Sequence, residues 1–222
     1  MVRVNVVVEG QSEEAFVNDV LAPTLWHRQT YLVPILLGVP GQKGGRPSYA
    51  RLKKDLLLHL KQDTLAYCSM MLDYYGLGAG YPGTVPPGTT GARSVKILED
   101  AIQADITAII PELRPDQRLI PYLQLHEYEG LLFSDPPAFA AGISQAHLGT
   151  AFQTIRDAFP TPEDINNSPT TAPSKRVLAT YPKYRKVLHG KNGAAAVGID
   201  RMRRECPHFR SWLETIEALA PL

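Results

Sequence analysis

Cysteine is scarce in this 222-residue chain: Cys68 and Cys206 are the only two, far apart and without a CxxC partner. That excludes a thiolate zinc cluster and a disulfide-stapled scaffold, both of which need several closely spaced cysteines. Two reduced thiols in a cytoplasmic protein are expected, with a single disulfide as the weaker alternative. No run of about 18 apolar residues is present, so no membrane-spanning helix is expected. The opening MVRVNVVVEG is too briefly apolar for a secretory leader, alternates with polar residues and ends in an acid. A phosphate-binding GxxxxGKS/T loop is missing too. Gly41-Gln42-Lys43-Gly44-Gly45 has the wrong spacing, which argues against nucleotide hydrolysis. Internal repeats and low-complexity tracts are absent.

Net charge is also small, at +1. A neutral total argues against a polyanionic partner, but the distribution argues for one. Between Lys175 and Arg210 stand ten Lys/Arg against Asp200 and Glu205, so this stretch carries +8 and the remainder −7. A second cluster, Lys43, Arg46, Arg51, Lys53 and Lys54, contains no acid. Asymmetry of this kind points to nucleic acid, with a solvated basic face as the plainer alternative.

What is present is ordinary globular material, 44% apolar and 20% charged, enough for one sizeable α/β domain. Strands are predicted at Arg3 to Val8, Tyr31 to Leu37, Ala66 to Leu72 and Leu119 to Leu125. Helices are predicted at Ser12 to Leu25, with Ser12 as cap, at Tyr49 to Leu60, at Ser94 to Ile110, and over Ala194 to Leu219. The Gly/Pro-rich stretch from Gly76 to Gly91 reads as a long binding loop. Strand–helix alternation of this size implies a mostly parallel four-stranded sheet with helices on both faces. The expected division is a core over residues 1–134 and a Pro-rich, basic, mainly helical extension over 135–222, packed on that core.

A parallel sheet presents all its strand C-termini at one edge, where ligands bind. Three predicted strands finish there in acids: Glu9, Asp73, and Glu127 with Glu129. Two carboxylates about 5 Å apart repel by roughly 3 kcal/mol at an effective dielectric near 20. Such a cluster must bind a cation, keep a proton or recruit basic side chains. All-oxygen ligands without cysteine or a paired-histidine motif favour Mg²⁺ or Mn²⁺, ions that assist phosphoryl transfer. Each acid alone also fits a plainer role as a turn, cap or surface residue, and His126 fits a structural one. Coincidence at one edge is what lifts the set.

Several motifs carry a resemblance. They are Val8-Glu9-Gly10-Gln11-Ser12-Glu13-Glu14, Met71-Leu72-Asp73-Tyr74-Tyr75-Gly76-Leu77 and Leu125-His126-Glu127-Tyr128-Glu129-Gly130-Leu131-Leu132-Phe133. Pro162-Glu163-Asp164-Ile165-Asn166 follows with Ala172-Pro173-Ser174-Lys175-Arg176, and then Cys206-Pro207-His208-Phe209 ahead of Trp212-Leu213. In this order they resemble the family called domain of unknown function 4276, itself similar to TOPRIM domains. The resemblance implies a TOPRIM-like fold and a metal-dependent nuclease, or nuclease subunit, in anti-phage defence beside an AAA/ABC-type ATPase. DNA is the expected substrate, with RNA left open. It implies Glu9 as the acid after the first strand and Asp73 as the first acid of a DxD pair, both as catalytic and metal-binding residues. Tyr75 stands where the second Asp would be, and Glu127 or Glu129 is expected to supply the missing carboxylate, both pointing to one side of an extended strand. Glu163 or Asp164 would join the metal shell or cap a helix. Lys175 and Arg176 would hold phosphates, joined on charge grounds by Lys43, Arg46, Arg203 and Arg204. The alternative expectation is a non-catalytic binding subunit of an ATPase complex, which Tyr75 favours.

Overall fold

The computed structural model describes residues 1–38, 47–165 and 170–222. Its strands are β1 (Val2–Val8), β2 (Thr30–Leu36), β3 (Tyr67–Asp73), β4 (Leu119–Ile120) and β5 (Leu123–Gln124). They run in the order β2-β1-β3-β4, with β5 continuing alongside β3, and every pairing is parallel. The predicted fourth strand is thus split in two, because Pro121 has no N–H to give to the ladder.

Valine fills β1 because this central strand is covered on both faces. Val2, Val4, Val6 and Val8 join one hydrophobic core, while Val7 joins the other with Met70 and Leu72 of β3. The helix following β1 runs through α1 (Gln11–Phe16), a π-helical stretch Val17–Leu21 and α2 (Ala22–Leu25). Ala22 N–H reaches back to Val17 C=O in that stretch, a wider turn that precedes Pro23, whose ring would clash with a regular one. On the opposite face lie α3 (Tyr49–Gln62), burying Leu52, Leu56 and Leu60, and α4 (Gly91–Ile109), burying Val95, Leu98, Ile102 and Ile106. The short α5 (Pro115–Arg118) leads into β4. Val2 N–H bonds Gln29 C=O and Leu37 N–H bonds Val8 C=O, both at 2.9 Å. The alternation between them turns the amide of Pro34 outward from the sheet. Its missing donor therefore weakens no ladder and blunts an open edge.

Residues 135–222 are more helical than their prolines suggest. They form α6 (Pro136–Gly142), α7 (Gly149–Asp157), α8 (Pro173–Thr180), α9 (Lys186–Val197), α10 (Ile199–Glu205) and α11 (Pro207–Glu217). Proline sits in the first turn of α6, α8 and α11, where no donor is needed. The single helix expected from Ala194 is broken at Gly198, which takes φ 79°, and again at Pro207. Phe209, Trp212, Leu213 and Ile216 of α11 share one core with the valines of β1. Cys68 and Cys206 are both free and buried. Among the described residues, no helix is long and apolar enough to cross a membrane.

Polar side chains fix α11 in place. Glu163 accepts from the amides of His208 and Phe209, both at 2.9 Å, so it caps this helix instead of joining the acids at the strand ends. Asp164 accepts from the backbone and hydroxyl of Thr161 within its own turn. His208 Nε2 lies 2.9 Å from Glu99 Oε1, and Tyr122 stacks between His208 and Trp212 at 5.1 and 4.5 Å. Trp212 donates to Ser69 Oγ at 3.0 Å.

Removing the buried Glu163 carboxylate strands two amides, so Glu163→Ala should lower the unfolding free energy by about 2–4 kcal/mol in urea titrations. Burial disfavours the His208 imidazolium, but its hydrogen bond to Glu99 and the charges of Glu99 and Glu163 outweigh this and raise its pKa. Its stabilisation is therefore fully present below about pH 6.5 and fades as pH rises through the raised value. The gap in Tm between wild type and His208→Gln should shrink with rising pH; a gap independent of pH would contradict the assignment.

Candidate functional site

The site lies at the C-terminal edge of β1, β3 and β5. β1 ends at Val8, the chain bends at Glu9, and Gly10 is extended just before α1. Gly10, not Ser12, occupies the cap position, and Ser12 falls inside the first turn. A Cβ at Gly10 would lie 3.3 Å from Glu13 Oε2, so that carboxylate folds back closely over this residue. Glu9 leans towards β3, where Asp73 N–H donates to its Oε2 at 3.3 Å. Gly76 passes so close that a Cβ there would stand 3.2 Å from both Glu9 oxygens.

Asp73 is an odd-numbered residue of β3, and the odd face packs towards α1 and the C-terminal helices, as Tyr67 and Met71 do. Its Oδ1 accepts from Tyr128 N–H at 2.8 Å. That amide is delivered by a turn rather than a strand: β5 stops at Gln124, and His126 takes the left-handed conformation at φ 61°. His126 C=O accepts from Tyr75 N–H at 3.2 Å, binding the two strand ends together. The same-side argument for Glu127 and Glu129 therefore does not apply, because neither lies in an extended strand. They arrive by separate routes. Glu127 Oε2 accepts from Ser174 N–H, at the start of α8, at 2.8 Å. Glu129 is only 1% exposed and pairs with Lys186 Nζ, at the start of α9, at 3.3 Å.

Burial is the leading cause of a raised pKa at Glu9, Glu13, Asp73 and Glu129. At Asp73, which is pushed well above the carboxylate range, the charges of Glu13, Glu9, Glu129 and Glu127 add to it. Glu129 is pushed up to about 7, against the pull of Lys186. Lys186 is held above the ordinary lysine range: burial works against its charge, and Glu129, Glu127 and Asp73 more than compensate. Among the described residues, Nδ1 of His126 and the hydroxyl of Tyr184 are buried without a hydrogen-bond partner. For Tyr184, burial and then Glu129, Tyr128, Glu127 and Glu13 keep the phenol protonated.

The structure thus brings Glu9, Asp73, Glu127 and Glu129 into one neighbourhood and adds Glu13 and Lys186, which the sequence reading did not single out. An acid one helical turn after Glu9 was the available signal for Glu13. Nothing local distinguishes Lys186 from nine neighbouring cations. Of the phosphate-binding candidates, Lys175 is exposed beside Ser174, at the rim of the site. Arg176 bonds Thr171 C=O at 2.7 Å and lies over the Phe159 ring. Arg203 pairs with Glu217, which also meets Arg28 just before β2, so it stands at the opposite edge of the sheet. Arg204 is exposed on α10, next in sequence. Lys43 and Arg46 lie outside the described residues.

As a metal centre, the donor set fits a hard divalent ion in kind, with oxygen only and charge to be neutralised, but Glu129 Oε1 already faces the Lys186 ammonium at 3.3 Å. In position, the side chains are splayed. Glu9, Asp73 and Glu127 each commit one oxygen to a backbone amide. Among the described residues, no three His, Cys, Asp or Glu side chains close around one point as they stand.

A search of curated proteins and one of solved structures return no match. One family model matches residues 8–217, a span that takes in every carboxylate of the site together with Lys186. The chain belongs to the family described as domain of unknown function (DUF4276).

Proposed function

We propose that this protein is a divalent-metal-dependent phosphodiesterase acting on nucleic acid, with DNA as the substrate class. The observation that carries this reading is the meeting of Glu9, Glu13, Asp73, Glu127 and Glu129 at one strand edge, with Lys186 as the ammonium in contact. A Mg²⁺ or Mn²⁺ ion held by Glu9, Asp73, Glu127 and Glu129 would neutralise that charge and supply an acidified water. The chain's own groups do the rest. The amides of Asp73, Tyr128 and Ser174 orient three of the carboxylates. Lys175, exposed in the first turn of α8, and Lys186, paired with Glu129, would meet phosphate oxygens in this reading. The exposed Lys183 and Arg185 extend the cationic rim along the approach to α9. The motifs' resemblance to TOPRIM domains favours the same acids, and the resemblance to the family favours a place in anti-phage defence beside an ATPase.

A second reading is a binding subunit of an ATPase complex without catalysis. Tyr75 in place of a second acid favours it, as does the splayed arrangement of the carboxylates.

Plasmid and single-stranded DNA incubated with Mn²⁺ should be cut by the wild type, and Glu9→Gln or Asp73→Asn should lose roughly a hundredfold or more. Cutting by both variants at the wild-type rate would sink the proposal, and a pure docking module should take up no Mn²⁺ in calorimetry. A separate outcome concerns stability. A carboxyl whose folded pKa is raised contributes stability at low pH and loses it as pH climbs through that value, about 7 for Glu129. Glu129→Gln should therefore gain in Tm over metal-free wild type above about pH 7, and the gain should vanish in acid.

A further inference from the structure

The sheet ends at β4, and the two helices that overhang this edge come from opposite faces: α4 packs into one core and α11 into the other. Between them, with α5 alongside, lies a cavity of about 300 Å³ that none of the strand-end acids lines. Leu119, Ile120, Pro121 and Leu219 give it an aliphatic side. Its other walls carry hydrogen-bonding groups whose donors are largely spent. Gln103 Nε2 gives to Leu119 C=O at 2.7 Å, and Trp212 Nε1 to Ser69 Oγ at 3.0 Å. Lys96 pairs with Asp100, and His208 Nε2 stands 2.9 Å from Glu99 Oε1. Acceptors are left over. Glu99 is 5% exposed, and its Oε1 takes both His208 and the Leu123 amide. Its Oε2 has no hydrogen-bond partner among the described residues. The same holds for Gln103 Oε1 and for the carboxylate of the exposed Asp116. A carboxylate set this deep with one oxygen lacking a donor is uncommon in native proteins, and a donor arriving from outside would complete it.

We propose that this cavity binds a small aliphatic cation, an ammonium or guanidinium on a methylene stem. Glu99 Oε2, Gln103 Oε1 and Asp116 accept from the charged head, and the aliphatic side covers the stem. An anion would meet Glu99, Asp100 and Asp116 against Lys96 and His208, both already paired. A flat aromatic ligand finds no open ring, because Tyr122 and Trp212 are buried and stacked on each other at 4.5 Å. A cavity near 300 Å³ stands at the small end of ligand pockets, in keeping with a short chain. The bound cation would tie α4 to α11 across the sheet edge. The site does not depend on the metal-dependent reading above.

The test uses the full chain. Calorimetry with agmatine and with spermidine should show saturable binding, and Tm should rise with the ligand. Tetramethylammonium, a cation without donors, and 1-pentanol, a stem without charge, should not bind. Glu99→Gln should weaken agmatine binding about tenfold, and Asp116→Asn several-fold. Thr215→Arg, which puts a guanidinium into the cavity from an exposed position, should abolish binding and leave the fold intact. Failure of agmatine and spermidine to bind at millimolar concentration overturns the proposal. So does equal binding by wild type and Thr215→Arg, or tetramethylammonium binding as tightly as agmatine. Asp116 and Thr215 are both exposed, so the test stands even if Glu99→Gln, which also touches His208, is unstable.

Discussion

Mutual repulsion among buried carboxylates is the constraint around which the C-terminal edge of this sheet is organised. Two carboxylates at about 5 Å repel by roughly 3 kcal/mol at an effective dielectric near 20, and the charges of Glu13, Glu9, Glu129 and Glu127 all act on Asp73. The chain offsets this with oriented backbone. Amides of Asp73, Tyr128 and Ser174 each point at a carboxylate, the last two from the first turns of a 3-10 helix (Tyr128–Ser134) and of α8. The left-handed His126 exists for the same purpose, since the turn it makes carries Tyr128 N–H over Asp73. Protons and Lys186 absorb part of the remaining charge.

The C-terminal third is therefore part of the site and not a cover for it. α8 brings the Ser174 amide to Glu127, and α9 brings Lys186 to Glu129. Both depend on α11 being seated, because Phe209 and Trp212 complete the core shared with β1 and Tyr128. That seating is secured by Glu163, from a motif that on sequence grounds competes for a place beside the acids. A carboxylate aimed at two helix amides gains charge-assisted hydrogen bonds instead of repulsion, which is why it lies where it does.

The basic segment divides along similar lines. Lys186, Lys191, Arg201 and Arg203 are each in an ion pair with an acid of another element. What remains outward near the acids is Lys175, Lys183 and Arg185. A charge of +8 over this stretch thus translates into a short rim and several internal ties, not a continuous track for a polyanion.

Alternation and helical spacing of apolar residues determined the parallel α/β architecture, because burial of valine and leucine faces leaves few other arrangements. Strand-terminal placement of Glu9 and Asp73 was legible for the same reason: parallel strands share one C-terminal edge. The sequence alone did not reveal that Glu127 and Glu129 reach the site from the cap and first turn of a 3-10 helix, since the left-handed histidine ahead of it is set by tertiary hydrogen bonding and carries no periodic signal. It did not separate Glu13 from Glu14, or Lys186 from its basic neighbours, because which face of a helix start meets the acids depends on packing over α1 and α9. Local patterning decides which residues are buried; only the folded chain decides which charges are buried together.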